Sequence, residues 1–242
     1  MPLHFLVESA SDAVAGDVVS LTGAEAKHAA VVRRLRVGEQ VTLGDGAGVW
    51  LAGTVDDVSA TRVDVRIDAR SVVDAPGPRI VLVQALAKGD RDELAVQAAC
   101  ELGVDGVVPW QAARSISRWE GAKAIKGRER WASIVREAAK QAHRAWVPEV
   151  AAPESTTQLA ERAATQRLLL LDPTADVRLS DIAPDSRDML LVVGPEGGIA
   201  DDELRRLTDA GAERVLLGDT VLRTSTAGPA AIAVLSVALG RW

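Results

Sequence analysis

The spacing of hydrophobic residues changes about a third of the way along the chain. Before residue 75, hydrophobic and polar residues alternate, most clearly at 63–68, as in strands with one buried face. Two further apolar runs, at 41–43 and 49–51, flank a segment containing Asp45-Gly46, a dipeptide typical of tight hairpins. One helix is predicted at 24–35. We therefore predict a small β-barrel domain at 1–74.

After the rigid stretch Ala75-Pro76-Gly77-Pro78, continuous apolar runs alternate with amphipathic segments. The runs predict strands and the segments predict helices, with strands at 80–86, 107–109, 168–171, 190–193 and 215–217, and helices at 91–102, 127–146, 202–210 and 226–239. Strands that are apolar on both faces need cover on both sides, which is typical of a parallel sheet between helices. The pattern predicts a second domain of the α/β class at 75–242.

Composition narrows the class of protein. The 242 residues are 48% hydrophobic and 26% charged, which is ordinary for a globular protein. The chain has no apolar run of about 20 residues and no basic, apolar leader, so we expect no membrane association. The single cysteine, Cys100, allows no intrachain disulfide, and we expect a cytoplasmic protein. His4, His28 and His143 are too scattered to predict a metal site.

Two glycine-containing segments follow predicted strands of the second domain, at the sheet edge where α/β proteins bind ligands. The segment at 193–198 lets the backbone approach a ligand closely, although a tight strand-to-helix turn is the alternative. Asp201 is then expected to cap the following helix. The segment at 217–224 places Arg223 in an apolar, hydroxyl-rich turn, which suggests either an anionic ligand or a surface arginine. Neither segment has dinucleotide-binding or triphosphate-binding spacing.

The net charge is −6, yet the positive charges are clustered. Between Arg114 and Arg144, nine Lys or Arg residues stand against three Glu residues, a local net charge of +6. The first domain has a second basic cluster, formed by Lys27, His28, Arg33, Arg34 and Arg36. One such run is usually a solvated helix face, but two of them in an acidic protein indicate a phosphate-backbone partner.

The two glycine segments resemble the signature loops of the RsmE family, SPOUT-class methyltransferases of small-subunit ribosomal RNA. The segments Lys88-Gly89-Asp90-Arg91, Glu101-Leu102-Gly103 and Arg114-Ser115 also occur in the family order and spacing. The resemblance covers nearly the whole chain. One position departs from the family pattern, because Ser225 stands where the family usually has Glu, which puts a catalytic carboxylate there in doubt.

This resemblance implies a PUA-like RNA-binding barrel followed by a SPOUT domain with a deep trefoil knot. It also implies S-adenosylmethionine as cofactor, a homodimer, and N3-methyluridine in 16S ribosomal RNA as product, with free RNA or the assembled small subunit as substrate.

The site residues follow from the loops, the basic clusters and the resemblance together. For catalysis we expect Arg223 and Arg114 to stabilise negative charge on the uracil ring. The expected cofactor-binding residues are Leu171, Gly194, Glu196, Gly197, Gly198, Leu217, Gly218, Leu222, Thr226 and Ala227. RNA binding is assigned to the basic cluster of the first domain together with Arg118, Arg130 and Arg144.

Two alternatives remain open at this point. A ribosome-binding or assembly protein without enzymatic activity would keep the basic clusters but would need no cofactor pocket. A related SPOUT enzyme acting on transfer RNA or on a ribose hydroxyl would bind the same cofactor but leave a different modified nucleoside.

Overall fold

The computed structural model describes residues 2–242 and divides into two compact units. The first unit contains the chain up to Ala75 together with Ala139–Val147. The second contains Pro76–Ala138 and Pro148–Trp242. The first unit is therefore built from two separate stretches of sequence.

The first unit is a five-stranded sheet around one apolar core. Its strands are β1 (Leu3–Leu6), β2 (Val18–Thr22), β3 (Gln40–Gly44), β4 (Val49–Val58) and β5 (Arg62–Val72), in the order β1-β3-β4-β5-β2. All pairs are antiparallel except β1 with β3. Val63, Val65 and Ile67 are buried, which confirms the alternation in the sequence. Register shifts between β4 and β5 mark bulges, which bend a strand and help the sheet to curl around its core.

The β3–β4 hairpin forms where the sequence predicted it, and the second stretch of the unit pairs with its turn. Gly48 N donates to Ala145 O at 3.0 Å, and Val147 N donates to Gly46 O at 2.9 Å. Gly48 has φ +106°, and a Cβ there would lie 2.9 Å from the Trp146 ring. Glycine is therefore required at this position both for the turn and for the close approach of the tryptophan.

The helix predicted at 24–35 is shorter than expected. The α-helix α1 spans Gly23–Lys27 and continues as one π-helical turn, His28–Val32. The turn is closed by a bond from Arg33 N to His28 O at 2.8 Å, and Arg34 then takes the left-handed value φ +56°. An α-helix cannot continue through a left-handed residue, so Arg33 and Arg34 lie beyond its end.

His4 is buried beside β3 and β4. Its ring stacks on Trp50 with 4.2 Å between the centroids, and its Nδ1 lies 3.0 Å from Thr42 Oγ1. Burial, and to a smaller extent the positive charges of His143 and Lys140, lower the pKa of His4 from 6.5 to about 4. His4 is therefore neutral in the folded protein at neutral pH.

This lowered pKa predicts a loss of stability in mild acid. Between pH 6.5 and about 4 the unfolded chain takes up a proton at His4 that the folded chain does not, so the free energy of unfolding falls as the pH decreases. We expect this decrease to be about 2 kcal/mol larger for the wild type than for His4→Gln across that window. Thermal denaturation at a series of pH values measures it, and equal pH dependence in both proteins would contradict the assignment.

The second unit is a parallel six-stranded sheet with helices. Its strands are β6 (Ile80–Ala85), β7 (Gly106–Trp110), β8 (Glu149–Val150), β9 (Arg167–Leu171), β10 (Met189–Val193) and β11 (Glu213–Val215), in the order β11-β9-β10-β6-β7-β8. The helices are α2 (Arg91–Glu101), α3 (Ala122–Gln141), α4 (Thr156–Arg162), α5 (Asp201–Asp209) and α6 (Thr224–Ala238). The last three residues of α3 belong to the first unit. All residues of β6, β7 and β10 are buried, as the continuous apolar runs predicted. The α/β class is confirmed.

The largest differences from the prediction concern one helix, one strand and one helix cap, and β8 and α4 had no predicted counterpart. The helix predicted at 127–146 occupies Ala122–Gln141, because His143 takes φ +53° and residues 145–147 pair with the β3–β4 turn instead. The strand predicted at 215–217 lies at Glu213–Val215. The cap predicted at Asp201 is wrong, since the N-cap of α5 is Ala200. The N–H of Ala200 donates to Glu203 Oε2 at 3.4 Å.

The connection from β9 to β10 contacts the segment that leads into α6. Leu179 N donates to Leu216 O at 2.8 Å, and Leu216 N donates to Val177 O at 2.9 Å. These bonds hold the two segments together at the end of the sheet where β9, β10 and β11 finish. Over residues 2–242, no helix is long and apolar enough to cross a bilayer.

Candidate functional site

A cavity of about 600 Å³ opens at the carboxyl ends of β9 and β10. Its size falls within the range of about 300–1,000 Å³ that is usual for small-molecule sites. Three segments form its walls: the turn 171–174 after β9, the loop 193–199 after β10, and the segment 217–224 that leads into α6. Parallel α/β sheets bind ligands at this edge, because the loops there diverge and leave a crevice.

Most of the residues expected to bind a cofactor line this cavity, namely Leu171, Gly194, Glu196, Gly198, Leu217, Gly218, Leu222 and Ala227. Gly197 and Thr226 are their neighbours in sequence but do not line it. A Cβ at Gly197 would lie 3.3 Å from Arg114 Cβ, so this glycine faces the arginine. The wall also includes Thr174, Ile199 and Val221, which carried no glycine or charge signal in the sequence.

The loop after β10 needs glycine at two positions for different reasons. Gly198 has φ +73°, and its N–H donates to Pro195 O at 2.9 Å to close a tight turn. A Cβ at Gly194 would lie 2.8 Å from Ile199 Cγ1. Because these glycines carry no side chains, backbone groups form part of the cavity wall.

Glu196 joins this loop to the segment after β6. Its Oε1 accepts hydrogen bonds from Lys88 N at 3.1 Å and from Arg91 Nη1 at 2.9 Å. Partial burial raises the pKa of Glu196, but the bonds from its own N–H, from Lys88 N–H and from Arg91 outweigh burial and lower it overall. Glu196 is therefore ionised at neutral pH, where it is a weak base and a strong hydrogen-bond acceptor.

Arg114 supports the same loop from the other side. Its Nη1 donates to Gly197 O at 3.2 Å and to Ile199 O at 3.3 Å, and its Nη2 lies 3.8 Å from Asp201 Oδ1. The guanidinium thus spans the glycine loop and the first residue of α5. This geometry assigns Arg114 a bracing contact with the cavity wall.

Glu203 holds the segment that carries Arg114, and sequence reasoning missed it. This carboxylate is buried, and its Oε1 accepts from Ala113 N at 2.9 Å and from Thr156 Oγ1 at 2.7 Å. The available signal was a glutamate three residues after a helix N-cap, the position from which glutamate bonds back to the cap.

Arg223 stands at the mouth of the cavity. It is the N-cap of α6, and its carbonyl oxygen accepts from Thr226 N and Ala227 N at 2.9 Å each, so its backbone is fixed. Its side chain is exposed and makes no hydrogen bond or ion pair with any residue of the described chain 2–242. Beside it, Val221 is 81% exposed. A free cation next to an apolar surface is suited to an anionic, flat ligand.

The residues expected to bind RNA differ in how far they are already paired. In the first unit, Lys27, Arg33, Arg34 and Arg36 are exposed, and their side chains have no polar partner in the part of the protein that the structure describes. His28 is half-buried, and its ring lies nearly perpendicular to that of Phe5, with 6.3 Å between the centroids.

The other three basic residues lie outside this cluster. In the second unit, Arg118 Nη2 donates to Ala113 O at 3.1 Å. Arg130 forms a 2.9 Å ion pair with Glu93. Arg144 belongs to the first unit. Among residues 2–242, no group of three or more His, Cys, Asp or Glu side chains is placed to hold a metal ion.

Comparison with known proteins gives consistent matches over both units. An RNA methyltransferase domain family matches residues 75–236, and an RNA methyltransferase PUA domain family matches residues 21–68. Ribosomal RNA small subunit methyltransferase E of Mycobacterium bovis is 44% identical over 98% of this chain and 92% of its own length. The Bacillus subtilis protein of the same name is 31% identical over 90% of this chain and 89% of its own.

Solved structures agree with this match. Ribosomal RNA small subunit methyltransferase E of Neisseria gonorrhoeae, bound to S-adenosyl methionine, has a TM-score of 0.88 at 30% identity over 98% of each chain. A Legionella pneumophila protein described as a putative methyltransferase with bound cofactor has a TM-score of 0.87 at 29% identity. The predicted PUA-like domain and methyltransferase fold are confirmed. This chain belongs to the RNA methyltransferases, and among them to the ribosomal RNA small subunit methyltransferase E family, the RsmE family that its loops resemble.

Proposed function

We propose that this protein uses S-adenosylmethionine to methylate N3 of a uridine in the 16S RNA of the small ribosomal subunit. The observation that carries the proposal is the glycine-walled cavity at the carboxyl edge of a parallel sheet, with the free cation of Arg223 at its mouth. Family membership supports the reaction class and the RNA class. The choice of N3 follows from the resemblance of the loops.

The cavity fits the cofactor in size and in chemistry. Its wall is bare backbone at Gly194 and Gly198, where a side chain would fill the space or strain the turn. Backbone groups of this loop and of Leu217 and Leu222 would hold the adenosine portion, and Leu171 would exclude water. When bound, S-adenosylmethionine supplies a methyl group already activated by its sulfonium charge.

The protein has to orient a uracil ring and manage its charge. N3 lies on the pairing edge of the base, so the target nucleotide must be unpaired or turned out of its stack. The N3 proton is released to solvent water before the methyl group is transferred, and its loss places negative charge on the two ring oxygens, which the Arg223 guanidinium stabilises. Arg114 keeps the glycine loop in place through the carbonyl oxygens of Gly197 and Ile199. Because the pKa of Glu196 is lowered, we assign it to joining the loops rather than to accepting the proton.

We also assign RNA binding to the unpaired basic cluster of the first unit. Lys27, Arg33 and Arg36 have no internal anion to compete with RNA phosphates, whereas Arg130 is already paired. We expect the double substitution Arg33→Glu and Arg36→Glu to weaken RNA affinity at least about tenfold and to reduce its salt dependence, because each phosphate contact releases a counterion.

Filter binding or fluorescence anisotropy over a range of salt concentrations measures both effects. Arg70→Glu is the matched control, since Arg70 is an exposed arginine elsewhere in the same unit and only donates to Ser11 O at 3.4 Å. Equal RNA affinity in the double variant and the control would contradict the assignment.

We also propose a homodimer in which α6 lies at the subunit interface. Ala230, Val234 and Val237 are spaced by four and three residues, so they form one apolar face, and Val237 is 63% exposed. Ala227, one turn earlier on this face, lines the cavity, so a second subunit packed here would adjoin the site.

Val237→Glu is expected to convert a dimer into a monomer, because it would bury an unpaired charge in the interface. Sedimentation velocity measures the change. Ile125→Glu, at an equally exposed apolar residue on α3, serves as the control and should stay dimeric. A wild type that is monomeric at micromolar concentration would contradict the assignment.

The proposed reaction is tested by mass spectrometry of ribosomal RNA from cells with and without the gene, complemented with the purified enzyme. We expect N3-methyluridine to disappear from 16S RNA in the deletion strain and to return with the protein and S-adenosylmethionine. Small subunits and naked 16S RNA are offered separately to identify the substrate form. A missing nucleoside in transfer RNA, a lost ribose methyl group, or an unchanged modification profile would each refute the proposal.

A further inference from the structure

Three polar groups form a hydrogen-bonded chain between the sheet and the glycine loop. Gln84 Nε2, near the end of β6, donates to Thr224 Oγ1 at 2.9 Å. Thr224 Oγ1 in turn donates to the carbonyl oxygen of Gly194 at 2.9 Å. Gln84 is 0% exposed and Thr224 is 7% exposed. A buried polar group is unfavourable unless it is bonded. The two bonds of Nε2 satisfy the donor side of the Gln84 amide, whereas its Oε1 has no hydrogen-bond partner among residues 2–242.

We propose that Gln84 and Thr224 are positioning residues for methyl transfer, which fix the glycine loop and Arg223 relative to each other. This inference rests on the proposed function of the cavity. Gly194 begins the loop that walls the cavity, and Thr224 directly follows Arg223. The Thr224 hydroxyl therefore joins two segments: the glycine loop, which has to hold the methyl donor, and the segment of Arg223, which has to hold the acceptor base.

The direction of these hydrogen bonds gives Gln84 and Thr224 distinct roles. A threonine hydroxyl has one proton, and because its oxygen accepts from Gln84, that proton is directed to Gly194 O. The second amide proton of Gln84 is bonded to Ala85 O at 3.1 Å. If the amide were reversed, the carbonyl oxygen of Gly194 would lose its donor. Gln84 thus orients the hydroxyl, and the hydroxyl orients the first peptide group of the loop.

Close packing of α6 on the sheet brings Thr224 within reach. Gln84 pairs in register with Val193, the residue before Gly194. Four residues after Thr224, on the same helix face, Gly228 lies so near the sheet that a Cβ there would be 2.9 Å from Leu82 Cδ1. The first turn of the helix is therefore held directly against the ends of β6 and β10.

The test compares Thr224→Val, which keeps the shape but removes the hydroxyl, with Thr224→Ser, which keeps the hydroxyl. For Thr224→Val we expect affinity for S-adenosylmethionine about tenfold weaker and kcat lower by about 10–100-fold, because small misplacements near reacting groups have large effects on rate. The KM for RNA should stay unchanged. Amide hydrogen exchange in residues 193–198 should become faster. Thr224→Ser should keep most of the wild-type activity and slow exchange.

Ser236→Ala is the matched control. Ser236 lies on the same helix and is 1% exposed, and its Oγ has no hydrogen-bond partner in the described part of the chain. Ser236→Ala removes a buried hydroxyl that is not part of the Gln84–Thr224–Gly194 hydrogen bonds. The affinity for S-adenosylmethionine, kcat and amide hydrogen exchange should therefore match the wild type. Gln84→Leu should reproduce Thr224→Val, and the double variant should be no worse than either single one, as for groups that act as a unit.

Two results would overturn the inference. One is a Thr224→Val enzyme whose cofactor affinity and hydrogen exchange equal those of Ser236→Ala. The other is a Thr224→Ser enzyme as impaired as Thr224→Val, which would indicate a packing role. These readouts are independent of the RNA product, so a wild type that fails to methylate 16S RNA would refute the proposed function alone.

Discussion

Replacing Arg223 by alanine is expected to abolish most methyl transfer while leaving the fold and the cofactor affinity nearly unchanged. The side chain is exposed and has no polar partner among residues 2–242, so its removal leaves no buried group unpaired. In the proposed reaction its charge stabilises the uracil oxygens when they become negative, and one positioned donor in such a site contributes about 10²–10³ in kcat. Transfer of labelled methyl groups to small subunits measures the loss.

A matched arginine separates this effect from a general loss of positive charge. Arg187 is exposed, pairs with Asp185 at 2.6 Å, and precedes β10 at the sheet edge opposite the cavity. We expect Arg187→Ala to keep kcat within about twofold of the wild type, as is usual for surface substitutions. An Arg223→Ala enzyme with near-normal kcat would remove Arg223 from the proposed role.

Replacing Gly198 by valine is expected to weaken the binding of S-adenosylmethionine at least about tenfold, equivalent to about 1.4 kcal/mol. Gly198 has φ +73°, which a β-branched residue adopts only with strain of about 1–3 kcal/mol. Relief of that strain must open the turn closed by the Gly198 N–H to Pro195 O bond, and the turn forms part of the cavity wall. Titration calorimetry measures the affinity.

The control for backbone strain is Gly211→Val. Gly211 follows α5 with φ +104°, has open space around its Cβ position, and does not line the cavity. Its substitution should lower the thermal midpoint while leaving the cofactor affinity at the wild-type value. Similar losses of affinity in both variants would mean that Gly198 acts through global stability rather than through the loop.

The sequence predicted the second unit well because burial on both faces leaves a strong signal. The apolar runs that became β6 and β10 were located to within one residue at each end, and the alternation in β5 identified its buried face. Such patterns depend on which residues are buried, and a buried strand face appears in the sequence as consecutive or alternating hydrophobic residues.

Features set by distant contacts were not predictable in this way. Ala145 and Trp146 ended the predicted helix, but in the structure this segment lies outside the helix, where Ala145 and Val147 pair with the β3–β4 turn. The π-turn after α1 likewise places Ala29 in the apolar core, among strand residues that are distant in sequence. Neither contact involves neighbours in sequence, so no local pattern records it.

The sequence predicted where the candidate site lies, and the structure shows which of the predicted residues line its cavity. Glycine segments after strands predicted the position of the cavity, but they do not predict which way each loop residue faces, and Gly197 faces Arg114 instead of the cavity. The charge of Arg114 was visible in the sequence, whereas its bonds to two loop carbonyls were not. The cofactor and RNA class followed from motif resemblance, because spacing alone does not specify them.

The split composition of the first unit has a consequence for biosynthesis. Two backbone hydrogen bonds of the turn at Gly46–Gly48 are made with Ala145 and Val147, which leave the ribosome much later than the strands. At a translation rate of about 5–20 residues per second, residues 145–147 are synthesised roughly 4–14 s after the last strand of the sheet. A nascent chain released at the Pro-Gly stretch would therefore expose this turn to solvent, so the amino-terminal unit matures only after much of the following unit has been synthesised.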